Sequence, residues 1–186
     1  MTRVIGLSGS LRSGSYNTAL LRAATRLVPE GVTLEVTTIR GIPLYDGDVE
    51  AAEGIPTPVA VLKDQIAAAD GLLLATPEYN NSLPGVFKNA VDWLSRPSSD
   101  IGRVFGGKPV AIIGASPGGF GTVLGQEAWL PVLRTLRTVP WFGGRLMASH
   151  AQWMFDASGA LTDHAMEEQI RKFLEGFVAF VRSQPR

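Results

Sequence analysis

Short apolar runs alternate along the whole chain with segments in which apolar residues recur every three or four positions. A run of four to eight residues is too short for a helix but long enough for a buried strand, whereas the wider spacing marks a helix with one face on a core. Val4, Ile5 and Leu7 predict a first strand over Arg3 to Leu7, and Ala19, Leu20, Ala23, Ala24 and Leu27 predict a first helix. Thr33 to Ile39 reads as strand two and leads into an irregular stretch through Gly41, Pro43, Gly47, Gly54 and Pro56. Helix two opens with Thr57 as N-cap and Pro58 at the first helical position, then presents Val61, Leu62, Ile66 and Ala69. Gly71 to Ala75 is strand three. Helix three begins near Pro84, buries Val86, Phe87, Ala90, Val91 and Leu94, and ends before Pro97. Pro109 to Gly114 is strand four, and Arg145 to Ser149 is strand five. Between them Thr122 to Thr138 forms helix four, with Pro131 predicting a kink or a restart. The last helix spans Thr162 to Arg182, its buried face formed by Met166, Ile170, Phe173, Leu174, Phe177 and Val181.

Five strands alternating with five helices predict an α/β fold, a three-layer doubly wound five-stranded parallel sheet covered on both faces. No internal repeat or linker interrupts the pattern, so residues 1–186 are expected to be one domain. Right-handed crossovers with the most unusual loop after strand one favour the strand order 2-1-3-4-5. In that order the loops after strands one, three and four surround a single cleft, which opens between strands one and three.

Those three loops carry the unusual residues. The first, Gly9 to Thr18, is a strand-to-helix turn, a place where unpaired N–H groups and the helix dipole favour an anion. Ser10, Ser13, Ser15, Asn17 and Thr18 add side-chain donors, and Arg12 adds a guanidinium able to bind a phosphate with two parallel hydrogen bonds. A phosphomonoester pocket fits these residues; the plainer alternative is an ordinary polar turn in which Ser15 or Asn17 caps the helix. Neither a nucleoside-triphosphate P-loop nor a G-x-G-x-x-G turn is present, which favours a mononucleotide over a triphosphate or dinucleotide. Pro77, Glu78, Tyr79, Asn80, Asn81 and Ser82 mix a stiff backbone with amide and aromatic groups suited to a flat heteroaromatic ring. Backbone N–H groups over Glu78 to Asn81 can stabilise an electron-rich ring. Gly114 to Gly121 holds four glycines in Gly114, Gly118, Gly119 and Gly121, which lets main chain lie against a ligand edge. Each of these two loops also reads, taken alone, as a polar turn before a helix.

Composition narrows the choice of chemistry. Seventeen basic residues balance seventeen acidic ones, which argues against a nucleic-acid or membrane-surface partner. No segment approaches the ~20 apolar residues that span a bilayer. A strand that starts at Arg3 leaves no room for a cleavable leader, so a cytoplasmic location is expected. Cysteine is absent, excluding disulfides, thiolate iron–sulfur ligation and a cysteine nucleophile. With only His150 and His164 as histidines, no metal site is expected, and redox chemistry would need a bound organic cofactor. Trp129, Trp141 and Trp153 are expected to be core or interface aromatics.

Three segments together resemble one known family. Gly9-Ser10-Leu11-Arg12-Ser13-Gly14-Ser15-Tyr16-Asn17, Pro77 to Gly85 with Lys88 to Trp93 behind it, and Ile42-Pro43-Leu44-Tyr45-Asp46 are similar to the NADPH-dependent FMN reductases, a flavodoxin-like group that includes bacterial quinone and chromate reductases and some azoreductases. The resemblance covers nearly the whole chain. It implies noncovalent FMN, with the phosphate at Ser10 and Arg12 to Thr18, including Ser13, Gly14, Ser15, Tyr16 and Asn17. It places the isoalloxazine beside Pro77, Glu78, Tyr79, Asn80 and Asn81, with Ser116, Gly118 and Gly119 closing the other side. NADPH or NADH would reduce the flavin and leave, and an acceptor such as a quinone, an azo compound, free flavin or chromate would then take two electrons at the same site. Because the flavin makes and breaks the bonds, no catalytic side-chain acid or base is expected. The family's members are typically homodimers or homotetramers. One departure lies in helix four, where the family often has a Leu-Arg pair and this chain reads Gln126-Glu127-Ala128-Trp129-Leu130-Pro131.

Two other readings belong to different classes. A flavodoxin-type electron carrier would usually show a strongly acidic docking surface, whereas this chain is neutral. A receiver-type regulatory module would place aspartates at the ends of strands one and three, where Ser8, Gly9 and Thr76 stand.

Overall fold

A computed structural model of the chain describes residues 1–185. It contains strands β1 (Thr2–Ser8), β2 (Val32–Thr38), β3 (Gly71–Ala75), β4 (Pro109–Ala115), β5 (Val139–Pro140) and β6 (Leu146–Ala148). The helices are α1 (Tyr16–Thr25), α2 (Gly47–Glu53), α3 (Thr57–Ala67), α4 (Gly85–Leu94), α5 (Ile101–Val104), α6 (Val123–Ala128), α7 (Leu130–Thr135) and α8 (His164–Ser183). All strand pairs are parallel, in the order β2-β1-β3-β4-β5, with β6 also pairing β4. The expected order holds with β6, which falls within the expected fifth strand, beside β4, while β5 is an additional short strand on the same edge, making six strands rather than five.

Alternation along each central strand divides the core into two faces, because successive side chains of a strand point to opposite sides. Val4, Leu73, Ala75, Ala111 and Ile113 pack with α1 and α8 on one face. Ile5, Leu7, Leu72, Leu74 and Val110 pack with α3, α4 and α7 on the other. The strands are thus apolar on both sides and read as continuous hydrophobic runs. α8 meets its face through Met166, Ile170, Phe173, Leu174, Phe177 and Val181, and the Asp163 carboxylate caps its start by accepting from the Met166 N–H at 2.8 Å.

Several elements differ in position or extent from those the sequence predicts, including α8, which starts at His164 rather than Thr162. The fifth position in the sheet is split: Val139–Pro140 pairs the start of β4, the Trp141 N–H still donates to the Val110 carbonyl at 2.8 Å, residues 142–145 leave the ladder, and Leu146–Ala148 pairs the end of β4. Trp141 causes the break. Its half-buried ring packs against Phe173 and Phe177 and occupies the space that a Cβ on Gly144 or Gly176 would need, each 2.8 Å from the indole. Helix four is also divided, restarting at Trp129 just ahead of Pro131, because proline has no N–H to continue the ladder. Helix two begins with Pro56, not Thr57, as N-cap. α2 lies in the stretch expected to be irregular; none of its residues is buried, and it is started by the Asp46 carboxylate, which accepts from the Asp48 N–H at 2.8 Å.

Buried hydrogen bonds hold the loop-bearing end of the sheet. The Trp129 indole N–H donates to the Thr76 hydroxyl at 2.9 Å, tying α6–α7 to the residue after β3, and both residues are fully buried. Gly114 lies beneath them, where an added Cβ would fall 1.7 Å from the Thr122 hydroxyl and 2.6 Å from the Thr76 carbonyl. Backbone flanks that site, so it cannot yield by a rotamer change. Gly114→Ala is expected to lower stability by about 2–4 kcal/mol, at or above the usual range for overpacking, as a drop in the urea midpoint with an unchanged slope.

Candidate functional site

The first loop leaves the sheet under tight constraint. Gly9 donates its N–H to the Ala75 carbonyl at 2.9 Å, and a Cβ there would sit 2.0 Å from the Phe87 ring, so only glycine lets the chain pass over α4. Beyond it the chain turns outward: Leu11, Arg12, Ser13 and Gly14 are exposed. Ser15 caps α1 by accepting from the Thr18 N–H at 3.2 Å. The N–H groups of Ser10, Leu11 and Ser13 through Asn17 donate to no other group among the described residues. A row of unpaired donors at the positive end of a ten-residue helix is a preformed anion cradle.

Not every side chain that the sequence offers as a donor is free. The Asn17 amide is committed twice to the end of β4, donating to the Ala115 carbonyl at 2.9 Å and accepting from the Ala115 N–H at 3.0 Å. The Thr18 and Ser8 hydroxyls pair at 2.7 Å. Ser10 accepts from the Arg12 N–H at 3.3 Å and keeps its own proton to give, and the Ser13 hydroxyl has no partner among the described residues. Arg12 joins no ion pair among the described residues. Tyr16 turns back and stacks on Phe155, with ring centroids 6.0 Å apart. The cradle is therefore mainly backbone N–H, with Arg12, Ser10 and Ser13 at its edge.

The loop after β3 is a two-residue reverse turn. Tyr79 and Ser82 exchange both backbone hydrogen bonds, at 3.0 and 3.1 Å, and Asn80 and Asn81 between them take φ of 51° and 59°. Positive φ at both central positions defines a type I′ turn, a conformation asparagine tolerates better than most residues. The Tyr79 N–H is thereby spent inside the turn, while the N–H groups of Glu78, Asn80 and Asn81 have no partner among the described residues. Glu78 accepts from the Gly125 N–H at 2.8 Å, fixing this loop to α6.

The third loop is anchored to the segment after β6. Ser116 donates its N–H to the Ala148 carbonyl at 3.0 Å and accepts from the Ala151 N–H at 3.0 Å, and Gly118 accepts from the His150 N–H at 3.1 Å. The N–H groups of Gly118 and Gly119 have no partner among the described residues. His150 has a positive φ of 53° and stacks on Trp153 at 5.0 Å, with its ring against Gly119. This support lay hidden in the sequence because it joins two loops more than thirty positions apart. Of the tryptophans expected in core or interface, Trp129 is buried and Trp141 half-buried, whereas Trp153 is 74% exposed.

The three loops line one hollow. Its wall is formed by Ser10, Arg12 and residues 15–17 from the first, residues 77–79 from the second and residues 115–117 from the third. Ser13, Gly14, Thr18, Asn80, Asn81, Gly118 and Gly119 flank this wall on the same loops rather than line it. Two larger hollows lie away from these loops. One, of about 370 Å³, lies at the opposite end of the sheet beside Asp70, Lys108 and Arg182. The other, of about 430 Å³, lies along β4 beside Trp141 and Phe142. The donor set around the first hollow suits an anionic tail joined to a flat ring: helix-start N–H groups for a phosphate, and free N–H groups of two further loops for the ring's polar edge.

Comparison with known proteins agrees with this chemistry. The sequence model of the family described as NADPH-dependent FMN reductase matches residues 2–152. An NAD(P)H-dependent FMN reductase of Pseudomonas aeruginosa is 49% identical over 180 residues, covering 97% of this chain and 95% of that protein. A 2-hydroxy-1,4-benzoquinone reductase of a Burkholderia species is 39% identical over 176 residues, covering 95% of this chain and 94% of that one. Among solved structures, the flavoenzyme NAD(P)H:(acceptor) oxidoreductase FerB of Paracoccus denitrificans superposes with a TM-score of 0.86 at 33% identity, over 99% of both chains.

Removing the Asn17 amide would strand a buried N–H and carbonyl of Ala115 together. Asn17→Ala is expected to destabilise the fold by about 2–5 kcal/mol, the cost of leaving two buried backbone groups without partners. Chemical denaturation of the two proteins measures this, and a cost below 1 kcal/mol would mean that water replaces the amide.

Proposed function

Because this chain belongs to the NADPH-dependent FMN reductase family, we propose that it is an FMN-dependent NAD(P)H oxidoreductase that reduces quinones or similar small acceptors by two electrons. The unpaired N–H groups of Ser10, Leu11 and Ser13 through Asn17, with the Arg12 side chain at their mouth, carry the reading. No partner within the described residues satisfies these donors, and a phosphomonoester dianion would satisfy several at once. The relatives' names support the rest: one is an NAD(P)H-dependent FMN reductase and another reduces a benzoquinone.

Bound FMN would supply the redox chemistry, taking a hydride from NADPH or NADH and passing two electrons to the acceptor. The chain's own residues bind and orient. Ser10, Ser13 and the N–H groups to Asn17 would hold the phosphate, and Arg12 would add a charge-assisted pair. Glu78, Asn80 and Asn81 would offer N–H groups along one edge of the ring, and Gly118 and Gly119 would offer theirs along another. Such fixed donors stabilise negative charge without having to reorganise during reaction. One oxygen of the Glu78 carboxylate holds the Gly125 N–H, which ties its loop to α6.

The same reading extends to assembly and location. A homodimer or homotetramer is favoured by exposed apolar side chains such as Leu44, Phe120 and Phe142, which are 73–84% accessible in the single chain. No helix among the described residues is long and apolar enough to cross a membrane, in keeping with a cytoplasmic enzyme.

The purified protein is expected to show a flavin absorption spectrum, to bleach anaerobically with NADPH or NADH, and to recover its colour when a quinone is added. Material that takes up no FMN and oxidises neither nicotinamide would overturn the reading. Arg12→Ala is expected to weaken FMN binding by about 1.5–3 kcal/mol, the worth of a charge-assisted hydrogen bond, measured by quenching of flavin fluorescence. Retention of wild-type affinity would remove Arg12 from the phosphate site.

A further inference from the structure

Arg40 stands outside every motif of the three loops, yet it reaches the first of them. It follows β2, whose end lies beside that of β1, with Thr38 paired to Ser8 in register. From this position its Nη2 donates to the Leu11 carbonyl at 2.5 Å, across 29 residues of sequence. The backbone of Arg40 is itself held in the turn, its N–H donating to the Thr38 hydroxyl at 3.4 Å. Neither Arg40 nor Arg12 has a carboxylate partner among the described residues.

The peptide group between Leu11 and Arg12 is consequently clamped at both ends. Its carbonyl is held by Arg40 and its N–H by the Ser10 hydroxyl at 3.3 Å. That peptide plane sets the direction in which the Arg12 side chain leaves the backbone. A free carbonyl at the mouth of an anion cradle would also oppose the incoming charge, and the Arg40 guanidinium neutralises it. Only one arm of the guanidinium is used in this contact, so the side chain brings a second positive charge to the edge of a cradle that otherwise has Arg12 alone.

Building on the FMN reading above, we infer that Arg40 is a positioning residue of the phosphate site: it fixes the Leu11–Arg12 peptide and adds long-range attraction for the phosphate without touching it. Its contribution therefore concerns the phosphate and not the ring. Binding of FMN should feel its loss, and binding of riboflavin, which has the same ring and no phosphate, should not. Part of the effect is electrostatic between exposed groups and must be screened by salt.

The test uses the full chain loaded with FMN or with riboflavin and serially diluted, the recovery of flavin fluorescence giving each dissociation constant for wild type, Arg40→Ala and Arg40→Gln. Arg40→Ala is expected to weaken FMN binding about five- to tenfold, between the effects of an exposed ion pair and a charge-assisted hydrogen bond, and to leave riboflavin binding unchanged. The FMN affinity of Arg40→Ala should also depend less on salt than that of wild type. Arg40→Gln, which can still donate to the Leu11 carbonyl but has no charge, should fall between the two. Unchanged FMN affinity in Arg40→Ala, or equal losses for FMN and riboflavin, would overturn the inference while leaving the phosphate site itself standing. A wild-type chain that binds both flavins equally well would overturn the phosphate site, and the role of Arg40 with it.

Discussion

The doubled hydrogen bond between the Asn17 side chain and the Ala115 backbone joins the start of α1 to the end of β4, 98 residues away, and the geometry of the site depends on it. A parallel sheet brings its loops to one edge without fixing their distances. The amide sets one of those distances. It spends the side chain of a residue in the anion cradle to hold the third loop beside the first, and leaves that residue's N–H free. Glu78 makes the corresponding link from the second loop to α6, and Trp129 links α6–α7 back to Thr76. These contacts tie the three loops to one another through the protein's own hydrogen bonds, which lowers the conformational entropy that binding has to spend.

A division of labour follows. Side chains with two hydrogen-bonding ends act as struts, and backbone N–H groups face outward as the binding surface. Asn17, Glu78, Thr18 and Ser15 are all occupied within the protein. The N–H groups beside them are unpaired among the described residues and stiffly aimed. Backbone donors held in this way discriminate by position, suiting a cofactor whose phosphate and ring edges lie at fixed separations. In the proposed FMN complex, donors at the phosphate and ring edges would leave the face of the ring to the two substrates in turn.

Much of this was legible in the sequence, for identifiable reasons. β1, β3 and β4 are buried on both faces, so their unbroken apolar runs stand out, and the glycine- and serine-rich loop after β1 marks a strand-to-helix turn whatever surrounds it. α2 escaped notice because it buries nothing, leaving the hydrophobic pattern silent and only the Asp46 cap to mark it. The split fifth strand depends on Trp141 packing against Gly176 of α8, a contact no local pattern reports. Within the site, residue types were read more readily than their partners. Asn17 and Thr18 look like ligand donors until their tertiary partners are known, and the Tyr79 N–H until the turn is seen to close on itself. Arg40 could not be found at all without the pairing of β2 with β1.

The central claim, that three loops distant in sequence present their free N–H groups to one FMN, is tested most directly by amide hydrogen exchange with and without that cofactor. Protection on adding FMN should rise together over residues 10–17, 78–81 and 118–119, and should remain unchanged around Lys108 and Arg182 at the opposite end of the sheet. Protection confined to one loop, or absent from residues 10–17, would contradict the account.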